Sequence, residues 1–344
     1  MRNAIRSFSR RGITQVAIAG LAFIAAWSAH ADDFYKDKQI TIIVGNPAGG
    51  GFDAYARLLA RHMGKHIPGQ PSFIVQNMPG AGSVRAAQHL AQVAPKDGTA
   101  IGVVVPGAIM DPVIDGPSKF QYSPLAFEYI GSADSGTRIC FTSKKSGVAT
   151  IEDARKAKVI VASTGPQSSS TDYALLLNAL ARTQFQIVMG YKGPADLILA
   201  MERGEAVGVC TLDAATVRTI RPDWLKTGEI NILAQAALQP NSEIAAPSFF
   251  EFMDAADRAV AELVLTQQEF HRPFLAPPGT PVEKVAILRS AFTAAMKDPE
   301  LRAEADKMGL GVNYKSGEEV SKVISKLFAS SPDLVERVRK ILRP

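Results

Sequence analysis

Two segments of this chain run a short stretch of branched apolar residues directly into a cluster of glycines and then an amphipathic stretch. The first is Ile42-Ile43-Val44-Gly45-Asn46-Pro47-Ala48-Gly49-Gly50-Gly51-Phe52-Asp53, and the second is Ile74-Val75-Gln76-Asn77-Met78-Pro79-Gly80-Ala81-Gly82-Ser83. Each reads as strand, tight turn and helix, the unit from which α/β folds are built. Glycines in such a turn let backbone N–H groups come close to a ligand, and the helix start adds partial positive charge. Each segment is therefore a candidate oxyanion cradle. Two cradles on one ligand would hold a carboxylate without any arginine, since charge-assisted hydrogen bonds contribute about 1.5–3 kcal/mol each. Tight turns with no ligand remain the alternative. Asp53, in the first helical turn, is a candidate dipole partner or cap.

Nucleotide readings of these glycines fail. Gly80-x-Gly82 meets Arg85 where a dinucleotide fingerprint needs its third glycine, and no Gly-Lys-Ser/Thr follows either loop.

Further along, Val- and Ile-rich runs alternate with amphipathic ones, which predicts strands at 39–45, 72–76, 99–105, 159–162, 186–188, 206–210, 231–234 and 274–276. Helices are expected at 52–66 and 83–93, and from Val282 to the C-terminus. A length of 344 residues favours two domains, each with its own core. No repeat or flexible linker separates them, so strands are expected to connect them across a hinge.

The formal charge of +5 is concentrated at the start of the chain, where Arg2, Arg6, Arg10 and Arg11 stand without an acid; beyond them 34 basic residues face 33 acidic ones. A near-neutral body argues against nucleic acid or anionic membrane as partner. The apolar stretch Ile13 to Trp27 then ends at Ala29-His30-Ala31, so residues 1–31 read as a cleaved export signal, too short for the ~20 residues of a spanning helix. Sec and twin-arginine export both stay open. The two cysteines, Cys140 and Cys210, either pair in an oxidising compartment or stay buried as thiols.

Enzymatic constellations are weak. His62 and His66 have helical i, i+4 spacing without the metalloprotease glutamate, and read as a solvated helix end, so no metal or cofactor is expected. Ser168-Ser169-Ser170 lacks a nucleophile elbow and an identifiable base. Asp213 follows a strand, where it caps the next helix or meets a ligand.

These motifs resemble the Bug-type, TctC-like solute-binding proteins of tripartite tricarboxylate transporters, which carry P-x-G-G-x-x-D and N-x-P-G-A-G-G loops and a D-G-Y/T turn. The matching places are Pro47 to Asp53, Asn77 to Ser83 and Asp97-Gly98-Thr99. The likeness continues at Tyr191-Lys192-Gly193, Ala276 to Pro281 and Lys297-Asp298-Pro299-Glu300. This sequence departs from the pattern at Ser83, at an extra glycine in the first loop, and at Ser163 to Ser170 in place of G-x-G-S. The resemblance implies a two-lobed, type II periplasmic binding protein of α/β class. Lobe 1 would be 32–136 plus 233–344, and lobe 2 would be 137–232. It would be an exported, periplasmic, non-enzymatic monomer that closes on a small carboxylate and delivers it to membrane permease subunits. Ala48, Gly49, Gly50, Ala81, Gly82 and Ser83 would hold the carboxylate, with Thr164, Ser168, Ser169, Tyr191, Lys192 and Asp213 completing the site. A carboxylate sensor and a serine hydrolase are the competing functions. N-terminal sequencing of periplasmic material is expected to read Asp32 first; a chain that retains its leader in the membrane fraction counts against cleavage.

Overall fold

The computed structural model describes residues 34–344, so the export signal and its cleavage site lie outside the described residues. The glycine segments form β1 (Gln39–Val44) with α1 (Gly51–His62), and β2 (Ser72–Asn77) with α2 (Val84–Gln92). After them come β3 (Ala100–Val103), α3 (Gly107–Ile114) and β4 (Glu128–Ser132). β1 lies parallel between β2 and β3, with Ile42 beside both Val75 and Ile101. Covered on both faces, β1 is nearly all apolar, whereas the edge strand β2 alternates between exposed and half-buried positions.

The chain then crosses into a second sheet. It forms β5 (Arg138–Ser143), α4 (Ile151–Lys156), β6 (Val159–Ser163), α5 (Ser169–Leu180), β7 (Phe185–Met189) and α6 (Pro194–Glu202). β8 (Gly208–Leu212), α7 (Ala214–Ile220), α8 (Trp224–Thr227) and β9 (Ile230–Ala236) complete it, in the order β7-β6-β8-β5-β9. The return brings α9 (Ala255–Leu265), β10 (Pro273–Ala276), α10 (Val282–Lys297), α11 (Pro299–Lys307), β11 (Lys315–Ser316), α12 (Gly317–Phe328) and α13 (Pro332–Leu342). β10 inserts antiparallel between β3 and β4, which gives the first sheet the order β11-β4-β10-β3-β1-β2. The architecture is α/β, with two mixed sheets.

Besides the two-residue β11, β4 and β5 escape the periodicity reading. β4 contains Gly131, where a Cβ would lie 2.3 Å from the Phe292 ring, and β5 opens on a charged arginine, so neither shows a clean apolar run. The expected boundary at 232–233 falls inside β9, which pairs with β5 as far as Ala236 opposite Arg138. Cys140 on β5 and Cys210 on β8 face each other and form a disulfide.

One apolar cluster runs across both sheets through Ala174 and Leu177 of α5, Val260 and Val264 of α9, and Val338 and Leu342 of α13. At its end the Arg343 guanidinium reaches Asp111 of α3 (2.7 Å), Asp115 (3.4 Å) and Asp172 of α5 (3.8 Å), joining the two halves. Burial pushes the Asp111 and Asp172 carboxyls up to about 7 against the pull of Arg343. A carboxyl raised in the folded state lends stability that is complete below its unfolded value, near 3.8, and lost as pH rises through about 7. Asp172→Asn is therefore expected to gain stability over wild type at pH 8 relative to pH 5, by about 1–3 kcal/mol. Thermal melts at the two pH values check this, and a gain confined to pH 5 would contradict it.

Candidate functional site

The carboxyl ends of β1, β2, β3 and β4 lie along one edge of the first sheet, together with the start of antiparallel β10. The ends of β6, β7 and β8, with the start of β5, form the corresponding edge of the second. Ligands of open α/β sheets bind outside such edges, and both glycine loops leave the first one.

In the first loop Ala48, Gly49 and Gly50 are exposed, and Gly49 has φ +81° with open space beside it. Its N–H donates to Asp53 Oδ2 at 2.9 Å, while Asp53 Oδ1 accepts from Asn77 Nδ2 at 2.9 Å. Asn77 also donates to the Asn46 carbonyl. Asp53 thus ties the two loops together. Although burial raises its carboxyl, donors from Arg57, Gly49 and Asn77 hold it below the ordinary carboxylate range.

The second loop places Ala81 (φ +45°), Gly82 (φ +58°) and Ser83 (φ +70°) consecutively in the left-handed region. For a residue with a Cβ that conformation costs about 1–2 kcal/mol. Ser83 compensates through its hydroxyl, which donates to the Gly45 carbonyl (3.0 Å) and accepts from the Val105 N–H (3.2 Å). At 1% exposure its side chain is part of the loop's frame. Gly45 makes room for it, since a Cβ there would lie 2.4 Å from Ser83 Oγ. Ala81 and Gly82 stay exposed.

Across the cleft, the hydroxyls expected to read the ligand bond one another. Ser168 donates to the Gly165 carbonyl (2.7 Å) and lies 2.8 Å from Ser170 Oγ. Ser169 Oγ lies 2.6 Å from Thr211 Oγ1, and Thr164 Oγ1 lies 3.2 Å from Ser170 Oγ. No histidine is among these partners. The loop touches the opposite half at Gly107, where a Cβ would lie 3.0 Å from the Gln167 carbonyl. Tyr191 donates to Glu205 (3.1 Å) and Lys192 is exposed, both beyond the edge strand β7.

A charged cluster lies between the sheet edges that sequence reasoning did not find. Arg138, 2% exposed, pairs with Asp213 and lies 3.5 Å from Asp134, while its Nε and Nη2 lack hydrogen-bond partners. Asp213 also accepts from the Thr216 N–H (2.7 Å), capping α7, so the capping role holds and an ion pair joins it. Burial raises both carboxyls; Arg138 and the Thr216 donors hold Asp213 below its ordinary value, whereas Asp134 stays above it. The only signal in the sequence is the isolated Asp134-Ser-Gly-Thr-Arg138 string at a strand start.

The histidine pair is not a solvated helix end. His62 and His66 meet Glu304 (2.7 Å) and Asp298 (3.1 Å) and fasten α1 to α11. Lys65 Nζ, 2.6 Å from both Asp298 and Glu300, supplies the cation for that acidic pair.

A family model described as the tripartite tricarboxylate transporter family receptor matches residues 55–339. The chain is 26% identical over 349 residues to a Cupriavidus necator protein named "UPF0065 protein in gbd 5'region", covering 96% of each. Among solved structures it is similar to MatC from Rhodopseudomonas palustris with bound malate, at TM-score 0.65 and 20% identity, covering 89% of this chain and 99% of that one. It is also similar to an R. palustris protein with adipate, at TM-score 0.66 and 20% identity, covering 89% and 97%. At these identities the structural likeness is one of fold.

Removing one partner from a buried ion pair leaves the other charge uncompensated. Arg138→Met is expected to lower unfolding free energy by about 3–5 kcal/mol, read by denaturant titration. Adding Asp134→Asn should recover part of that loss, and no recovery would separate Asp134 from the cluster.

Proposed function

Since this chain belongs to the tripartite tricarboxylate transporter receptor family, we propose that it binds a small carboxylate in the cleft between its two sheets and delivers it to the membrane subunits of such a transporter. The observation that carries this reading is the pair of glycine loops at one sheet edge, locked together by Asp53 and Asn77. Left-handed residues in both loops carry no large side chain. Malate and adipate in the related R. palustris proteins support a ligand with one or two carboxylates.

The proposed lobes divide where the strands change sheet: the first comprises 34–136 with 237–344, and the second comprises 137–236. Ligand closes them about the crossovers at 133–137 and 237–247. The hydroxyls of Thr164, Ser168 and Ser169 form the wall facing the clamped carboxylate, while Tyr191 and Lys192 stand at the rim. The protein acts in the periplasm after removal of its leader, as a monomer, and turns nothing over; the serine hydroxyls bond other hydroxyls and a carbonyl, which favours a wall over a nucleophile.

Gly49→Val and Gly82→Val put a branched side chain where φ is positive and space is open, so each is expected to abolish carboxylate binding while circular dichroism stays that of wild type. Thermal-shift measurements with mono- and dicarboxylates provide the readout, because a ligand that binds only the folded state raises its midpoint. Wild-type binding in both folded variants would move the carboxylate elsewhere.

A further inference from the structure

Arg272 stands immediately before β10, at the sheet edge from which the first glycine loop leaves. Its guanidinium lies against the first turn of α1: a Cβ on Gly51 would be 3.2 Å from Nη2, and its central carbon is 4.2 Å from the Phe52 ring centroid and 5.3 Å from that of Tyr55. Stacking on two rings fixes the plane of the group. The backbone N–H of Arg272 is held by Ser132 Oγ at 3.1 Å.

What the guanidinium lacks is an anion. Nη1 donates only to the adjacent His271 carbonyl (3.2 Å), and Nε is shielded from solvent without an acceptor. Among the described residues no carboxylate oxygen comes within 4 Å of it. The nearby acids, Asp134 and Asp213, are engaged by Arg138. The neighbouring His271 is half-buried and its imidazole is pushed well below its ordinary value by desolvation and the nearby arginines, so it adds no counter-charge. A half-buried cation therefore stands beside the start of a helix without an ion-pair partner of its own, an arrangement that an incoming anion relieves.

We propose that Arg272 is the side-chain counter-charge for the ligand's carboxylate at the first glycine loop, giving this cleft a guanidinium contact in addition to backbone donors. The inference rests on the carboxylate-binding reading above and deepens it. It also assigns the two arginines different tasks. Arg138, with two acids, holds the halves together, whereas Arg272, with none, meets the ligand.

Calorimetry with acetate, succinate, malate and adipate on wild type, Arg272→Met, Arg272→Lys and Gly49→Val tests it. Arg272→Met should bind the best of these about 10- to 100-fold more weakly, the range expected when a charge-assisted contact is lost. Its unliganded melting temperature should not fall, since an unneutralised cation is removed. Arg272→Lys keeps the charge without the planar fork and should fall between the two; it carries the test if the methionine variant does not fold. Unchanged affinity in the arginine variants beside loss in Gly49→Val overturns this inference alone. A lowered unliganded melting temperature with unchanged affinity gives Arg272 a packing role. If none of the four acids binds wild type, the carboxylate reading and this inference fall together.

Discussion

Burying the Arg138 guanidinium obliges both sheets to supply acid at one point, because an isolated charge removed from water costs several kcal/mol. Asp213 arrives from the end of β8 and Asp134 from the end of β4, so one lies in each sheet. Arg138 itself is the first residue after the crossover. The carboxyl edge of one sheet is thereby set against that of the other, and the space between them becomes the cleft. Arg343 repeats the device where it draws together carboxylates of α3 and α5.

The glycine loops apply the same logic to the backbone. Three consecutive left-handed residues, two with a Cβ, persist only where surrounding contacts over-determine them. Ser83 bonding to Gly45 and Val105 provides that restraint, and Asp53 extends it from one loop to the other. Loops held by their own frame are organised in advance, which reduces the ordering cost of any binding at them. Arg272 stacks on two rings projecting from the helix that begins in that frame.

Particular residues mark how far the sequence could be read. The strand–glycine–helix segments were legible because their information is local: apolar period, turn chemistry and helix start all lie within a dozen residues. For the Ser168 to Ser170 hydroxyls, residue type and position were visible in the sequence but partners were not; the fold gives them Gly165, Thr211 and each other. His62 and His66 read as solvent-facing because their partners, Glu304 and Asp298, lie more than 230 positions away. β5 was missed because its first residue is charged, and the Asp213 that pairs with it lies 75 positions further along the chain.

The amino-acid sequence by itself determined the α/β class, the two glycine turns, their family resemblance and the near-neutral body, since each follows from spacing and composition along a short stretch of chain. Tertiary structure alone decided that Asp53 joins the two loops and that Cys140 meets Cys210. It also decided that Ser83 turns inward and that Arg138 takes both nearby acids while Arg272 takes none. Those outcomes depend on which strand edges meet, and pairing between residues far apart in the chain is set by the summed packing of both sheets, which no local pattern encodes.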